Sequence, residues 1–324
     1  GNMARSAIRL ILFVSSVETK SWLAPSRLDP RQIRELLAFG VPMSLGALCE
    51  FASRRWDNLL VSRFFGPATT GMYNLAYNLA DVPAIQIGEQ IGDVLLPSFA
   101  RMDAARRRAA LLRALSLLSL VVFPLAVGLG AVAPNLVAAI FDPRWQPLAP
   151  MLVMLSVLSL TRPVGWTVAA YLQSRQMPRH IFMLEAFKLT VLGSTLLTIG
   201  RAGPLWTCAA VGVAFAVHAL ASLVVVRWID GIPLRDTVGS LVPAAIASLI
   251  MAVAVVALRF ALAAPPVLSL ILEIVAGAFT YILAAFIVAR SAARDLIDRL
   301  REAIGHAPMP TMEKPRSTSA AESQ

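Results

Sequence analysis

Glu50, Arg54 and Asp57 are spaced by four and then three residues inside an apolar stretch. On a helix that spacing places all three on one face. Glu50 stands one turn before Arg54, the favourable order for an ion pair, and pairing lowers the cost of charge at depth. Arg55 points elsewhere, and Arg63 falls near the end of the same stretch. The next apolar stretch carries Asn78, Asp81, Gln86, Glu89, Gln90 and Asp93, which at 100° per residue occupy one half of a helix. Ala84, Ile87, Ile91, Val94 and Leu95 fill the other half. Ionisable groups within a membrane span are costly and mark functional pathways. Two such faces side by side would line an aqueous cavity able to hold ions and polar groups. Glu50 and Arg54 alone read equally well as a pair that fixes packing; the full set on consecutive stretches favours the cavity.

Other polar groups read more plainly. Arg162, beside Pro163 and Gly165, is expected to satisfy carbonyls freed at a proline kink. Glu185 and Lys188, spaced by three, are read as a structural pair, and His218 as a packed histidine. Glu273 receives no role. Cys49 and Cys208 lie in apolar runs without a C-x-x-C motif, and His180, His218 and His306 are far apart, so no disulfide framework, metal site or cofactor is expected.

These residues need elements to position them, and composition says which. Of 324 residues 57% are hydrophobic and 15% charged, with a mean hydropathy of +0.70. Soluble domains hold about a quarter charged residues, so the expected class is an all-α polytopic membrane protein. Runs of about 20 apolar residues are needed per span. Eight are read: Leu36 to Ser62, Met72 to Phe99, Ala110 to Val132, Leu148 to Leu172, Ile181 to Ile199, Leu205 to Val226, Val238 to Leu258 and Val267 to Val288. Pro and Gly interrupt the first two, at Gly40, Pro42 and Gly46 and at Pro83, Gly88, Gly92 and Pro97, as in helices that bend.

The net charge of +10 is distributed by loop. Lys20, Arg27, Arg31 and Arg34 precede the first span; Arg101, Arg106, Arg107, Arg108 and Arg113 follow the second. Arg175 and Arg179 follow the fourth, Arg227 and Arg235 the sixth, and Arg290, Arg294, Arg299 and Arg301 the eighth. The alternate loops carry Arg63, Arg144, Arg201 and Arg259, one apiece. Basic residues stay on the cytoplasmic side, so both termini are expected inside. The same alternation, with affinity for anionic lipid, accounts for the charge without nucleic acid.

Five regions are expected. Residues 1–24 hold a short apolar run, Ile8 to Val17, read as the remnant of a preceding span rather than a signal peptide, because no small-residue cleavage site follows. Residues 25–228 form a six-helix lobe and 229–290 two additional spans. Residues 291–306, with Ala293, Leu296, Ile297, Leu300 and Ile304 at helical spacing, read as an amphipathic helix on the inner surface or a solvated one. Residues 307–324 have the composition of a disordered tail.

Within 39–102 specific residues become familiar: Phe39-Gly40-Val41-Pro42, Asp57 followed by Leu59-Leu60-Val61, Phe64-Phe65-Gly66-Pro67, Gly71-Met72-Tyr73-Asn74-Leu75-Ala76-Tyr77, Pro83, and Leu96-Pro97-Ser98-Phe99-Ala100. This pattern resembles the polysaccharide-transporter type oligosaccharide flippases, Wzx-like members of the superfamily that also holds multidrug extruders and lipid II flippases. In that family it opens the second half of the transporter. The resemblance implies the second lobe of a MATE-like fold plus two trailing helices, with a first lobe expected to be missing from this chain.

It also implies a function. The substrate would be an undecaprenyl-pyrophosphate-linked oligosaccharide, moved across the bacterial inner membrane for lipopolysaccharide, O-antigen or exopolysaccharide synthesis by alternating access. Arg54, Arg55 and Arg63 would attract the pyrophosphate, since guanidinium forks match phosphate oxygens. Glu50, Asp57, Asp81, Glu89 and Asp93 would bind a coupling H⁺ or Na⁺. Two rivals are a cation-coupled multidrug extruder, disfavoured by the arginines of the first span, and a polyprenyl-dependent glycosyltransferase. The latter needs a catalytic base in a sizeable loop, which the short outer loops do not offer. The expected activity is therefore transport, not catalysis.

Overall fold

A computed structural model describes Ile8, Leu12, residues 29–262 and residues 264–290, with the side chains at 82, 83, 87–94, 104 and 105 outside the description. The expected remnant at 1–24 lies outside the described residues apart from helical Ile8 and Leu12, and so do the surface helix at 291–306 and the tail. The chain divides into two units, 1–41 and 42–324. The described part of the first is the opening of α1 (Pro30–Ser53), largely exposed.

The second unit is helical throughout its described elements. It holds the rest of α1, then α2 (Trp56–Ala100), α3 (Ala104–Ile140), α4 (Leu148–Leu158), α5 (Arg162–Ser174), α6 (Pro178–Thr198), α7 (Pro204–Asp230), α8 (Leu234–Ala261) and α9 (Pro266–Val288). Seven helical stretches among the described residues are long and apolar enough to cross a bilayer. The first runs Pro30–Gln86, 57 residues, roughly 85 Å if straight against a hydrocarbon core of about 30 Å. It is broken twice. Arg54 and Arg55 form a turn between α1 and α2, and Gly66 interrupts α2 at φ 79° and ψ 175°, a conformation open to glycine and strained for other residues. The first two expected spans fall in this stretch and its continuation to Ala100, so the eight expected spans correspond to seven apolar stretches here. The turn expected at 63–71 contracts to a single glycine ahead of Pro67.

Pro163 marks another break. The expected span Leu148 to Leu172 is two helices, α4 and α5, joined by a 3₁₀ turn at Ser159–Thr161. Proline at the first turn of α5 needs no N–H partner and cannot continue the preceding helix. Ser159 Oγ donates to the Ala80 carbonyl of α2 at 3.0 Å, so the broken segment is fastened across the bundle.

Two apolar clusters hold the lobe together. One joins Tyr73, Ala76 and Ala80 of α2 to Leu152, Leu155 and Leu158 of α4, Leu192 and Leu196 of α6, and Val211, Ala214 and Phe215 of α7. The other joins Phe99 of α2 to Leu111 and Leu115 of α3, Val164, Val168 and Leu172 of α5, Leu184 of α6, and Ala219 and Leu223 of α7. The trailing helices α8 and α9 pack on each other and on α3. Gly277 lets them close in: a Cβ there would stand 3.0 Å from Val255 Cγ2. Small residues at such crossings let membrane helices approach.

Candidate functional site

Glu50 and Arg54 form the expected pair, Arg54 Nη2 donating to Glu50 Oε1 at 2.8 Å. The side chains are 45% and 33% exposed, respectively. Arg55 leans over the Phe51 ring, its guanidinium carbon 5.8 Å from the centroid. Arg63 is exposed. The break at Arg54–Arg55 removes Asp57 from the face that unbroken helical spacing implied: Asp57 belongs to the first turn of α2, not to α1. It is buried, accepts a hydrogen bond from Tyr73 Oη at 2.7 Å, and also accepts from the Asn58 N–H.

Asp81 has a partner that lies 81 residues away. Arg162 Nε donates to Asp81 Oδ1 at 2.8 Å and Arg162 Nη2 to Oδ2 at 2.5 Å. This bidentate fork matches guanidinium to carboxylate geometry. The side chains are 8% and 4% exposed, respectively. Arg162 therefore does not cap carbonyls freed at Pro163, as the proline suggested; it neutralises a charge on another span. Asp81 faces the lobe interior rather than an open cavity. The side chains of Glu89 and Asp93 lie outside the described residues.

Around this pair lies a charged layer that sequence spacing did not suggest. The Arg162 guanidinium carbon stands 5.1 Å from the Phe215 ring centroid, and Lys188 Nζ stands 5.3 Å from the same ring. Lys188 ion-pairs with Glu185 one turn away. His218 Nε2 faces Glu185 Oε1 at 3.5 Å. On α2, α6 and α7, and across the α4–α5 break, these groups fall between residues of the two apolar clusters. A signal existed in the sequence: Asp81, Arg162, Glu185 and Lys188 are two acids and two bases inside apolar runs, and each buried charge requires an opposite one.

Two further pairs are pinned by tertiary contacts. Arg175 and Tyr171 both bind Asp230, Tyr171 Oη at 2.7 Å, tying the end of α5 to the end of α7. That hydrogen bond raises the Arg175 guanidinium above its ordinary value, so it stays charged. Glu273, given no role from sequence, is 1% exposed. It accepts from Asn135 Nδ2 at 2.6 Å and Arg259 Nε at 3.0 Å, while Arg259 also binds the Ala131 carbonyl. Arg259, in the last turn of α8, thus fastens α8 to α9 and α3.

Residues 1–150 match a family described as "Polysaccharide biosynthesis protein". The lipopolysaccharide biosynthesis protein WzxC of Escherichia coli (strain K12) is 28% identical over 190 residues, covering 58% of this chain and 38% of that protein. The teichuronic acid biosynthesis protein TuaB of Bacillus subtilis (strain 168) is 26% identical over 216 residues, covering 66% of this chain and 44% of that protein. The chain thus spans about two fifths of the length of these curated relatives. In fold it is similar to the lipid II flippase MurJ in an inward closed conformation, with a TM-score of 0.67 and 16% identity over 84% of this chain and 57% of that one. The resemblance carried by residues 39–102 is thus matched by sequence similarity to polysaccharide biosynthesis proteins and by a fold like that of a lipid II flippase, in a chain with the helices of a multi-pass membrane protein.

Proposed function

We propose that this chain forms part of a transporter that moves a lipid-linked oligosaccharide, an undecaprenyl-pyrophosphate carrier among the chemically suitable substrates, from the cytoplasmic to the periplasmic leaflet of the bacterial inner membrane. The activity is transport rather than catalysis, and both termini of the chain lie in the cytoplasm, as the loop charges favour. The carrying observation is the half-exposed Glu50–Arg54 pair, which joins the end of α1 to the break after it, with Arg55 in the same turn and exposed Arg63 beyond. A lipid tail can remain in the bilayer while a sugar head crosses beside such groups. Arg54, Arg55 and Arg63 bind the pyrophosphate through their planar donor forks. Of the carboxylates considered for ion coupling, Glu50 is the described one that solvent reaches, whereas Asp57 and Asp81 are committed to Tyr73 and Arg162.

The test is export in a complete transporter carrying these residues. Arg54→Ala is expected to reduce surface polysaccharide at least about tenfold, the worth of one charge-assisted phosphate contact of roughly 1.5–3 kcal/mol. Its membrane level should be unchanged. Leu48→Ala, an exposed apolar position on the same helix, should export normally. Full export by an Arg54→Ala, Arg55→Ala, Arg63→Ala triple variant at normal protein level would overturn the assignment.

A further inference from the structure

We propose that Glu185, Lys188 and His218 form a proton-exchange site in the middle of the lobe, with His218 as the group that takes up and releases the proton. Its role in energising transport rests on the transporter reading above; its protonation does not.

The geometry is that of a competition for one carboxylate. Glu185 is held by Lys188, one turn along α6. His218 on α7 presents Nε2 to the other oxygen of Glu185 at 3.5 Å, beyond good hydrogen-bonding distance, and that nitrogen is buried without a hydrogen-bond partner. A buried polar atom left in this way calls for a reason. A proton added to the neutral ring makes both nitrogens donors, so Nε2 then faces the carboxylate as a charged donor. The step moves one proton from water to Nε2 and leaves the imidazolium paired with Glu185; release reverses it. Beside the two side chains lies a cavity of about 10 Å³, walled by Gly165, Val168, Ala169, Leu172, Ile181 and Ser222. That is near the lower size for a single water, the carrier such an exchange needs.

Charge balance gives the proton its leverage. With His218 neutral, the described charges of the buried layer are Asp81 and Glu185 against Arg162 and Lys188, which sum to zero. A proton on His218 leaves one uncompensated positive charge in a low-dielectric interior, which favours a conformation that admits water. Among the described residues, Lys188 and His218 are the charged partners of Glu185. The wall from α5 is Gly165, Val168, Ala169 and Leu172, and the charge of α5 at that level, Arg162, is bound twice to Asp81 of α2. Helix α4 has no titratable residue, and the charges of α8 stand at its two ends. The Asp81–Arg162 fork is fully engaged and is a poor proton carrier; the Glu185–His218 contact is unsatisfied and is a good one.

The experiment is nitrogen NMR of the ring signals in the ¹⁵N-histidine-labelled 324-residue chain in nanodiscs, with the His218 signal identified by its loss in His218→Gln. Lowering the pH from about 8 to about 5 is expected to convert the His218 nitrogens from the neutral to the charged pattern in the native chain. At the pH where the native chain is half converted, Glu185→Gln is expected to cut the charged fraction about fivefold, the effect of removing one adjacent opposite charge worth roughly one pH unit. A His218 signal that stays neutral across this range, or that converts identically in Glu185→Gln, overturns the site. Separately, His218→Gln in a complete transporter should abolish the dependence of export on the proton gradient. Conversion by NMR with gradient dependence intact would leave the proton site standing and refute its coupling role.

Discussion

Removing one partner of the Asp81–Arg162 fork strands a charge that is at most 8% exposed. Asp81→Ala or Arg162→Ala alone is therefore expected to destabilise the folded chain by about 3–5 kcal/mol. Replacing both, as Asp81→Leu with Arg162→Met, should recover most of that loss, because apolar residues of similar size can replace a buried pair at little net cost. Thermal unfolding of the three purified variants in one detergent decides the matter. A double variant as unstable as the singles would give the pair a role in specifying the bundle beyond mutual neutralisation. The exposed Glu50–Arg54 pair should behave differently: an ion pair that water reaches contributes about 0–1 kcal/mol. Its loss should be visible in export and not in the melting curve.

At the scale of elements, the breaks matter more than the helices. Gly66 holds φ at 79° with open space around the position of a Cβ, so a side chain there meets a backbone penalty and no clash. Gly66→Ala is expected to cost about 1–3 kcal/mol. Gly71→Ala, also in open space but in helical conformation, should be neutral or slightly stabilising by up to about 1 kcal/mol. Equal melting temperatures for the two variants would show that the kink at Gly66 is not held in solution. The crossing of α8 and α9 follows the opposite logic. At Gly277 a Cβ meets Val255 Cγ2 at 3.0 Å, so Gly277→Leu should part the two helices and lower the melting temperature, whereas Gly277→Leu with Val255→Ala should recover part of it. No recovery in the double variant would remove Val255 as the source of the crowding.

For the whole molecule, the alternating loop charges predict sidedness. In a Cys49→Ala, Cys208→Ala background, single cysteines at Arg106 and Gln146, both exposed, should lie on opposite faces of the membrane. Gln146→Cys should react with an impermeant thiol reagent in intact spheroplasts, and Arg106→Cys only after lysis. Reaction of both from outside would exclude the orientation with both termini inside. Replacing Cys208, buried in the core between α7 and its neighbours, by alanine leaves a gap of one sulfur atom. The labelling is therefore best paired with a check of protein level in the membrane.

What the sequence determined by itself was set by solvent. Apolar runs of membrane length and the residues from Phe39 to Met102 specified an all-helical multi-span protein and its likeness to polysaccharide biosynthesis proteins. These are one-dimensional quantities, because lipid requires each helix to satisfy its own backbone wherever it sits. Helical spacing also found Glu50 with Arg54, since partners one turn apart are neighbours on any helix. The same spacing placed Asp57 with them and failed, because the turn at Arg54–Arg55 resets the face. Only the tertiary structure joined Asp81 to Arg162, Glu185 to His218, and Glu273 to Arg259 and Asn135. Spacing along one helix carries no information about which span packs beside it, so a charge that needs a partner at depth names its requirement in sequence and finds its partner only in the packed bundle.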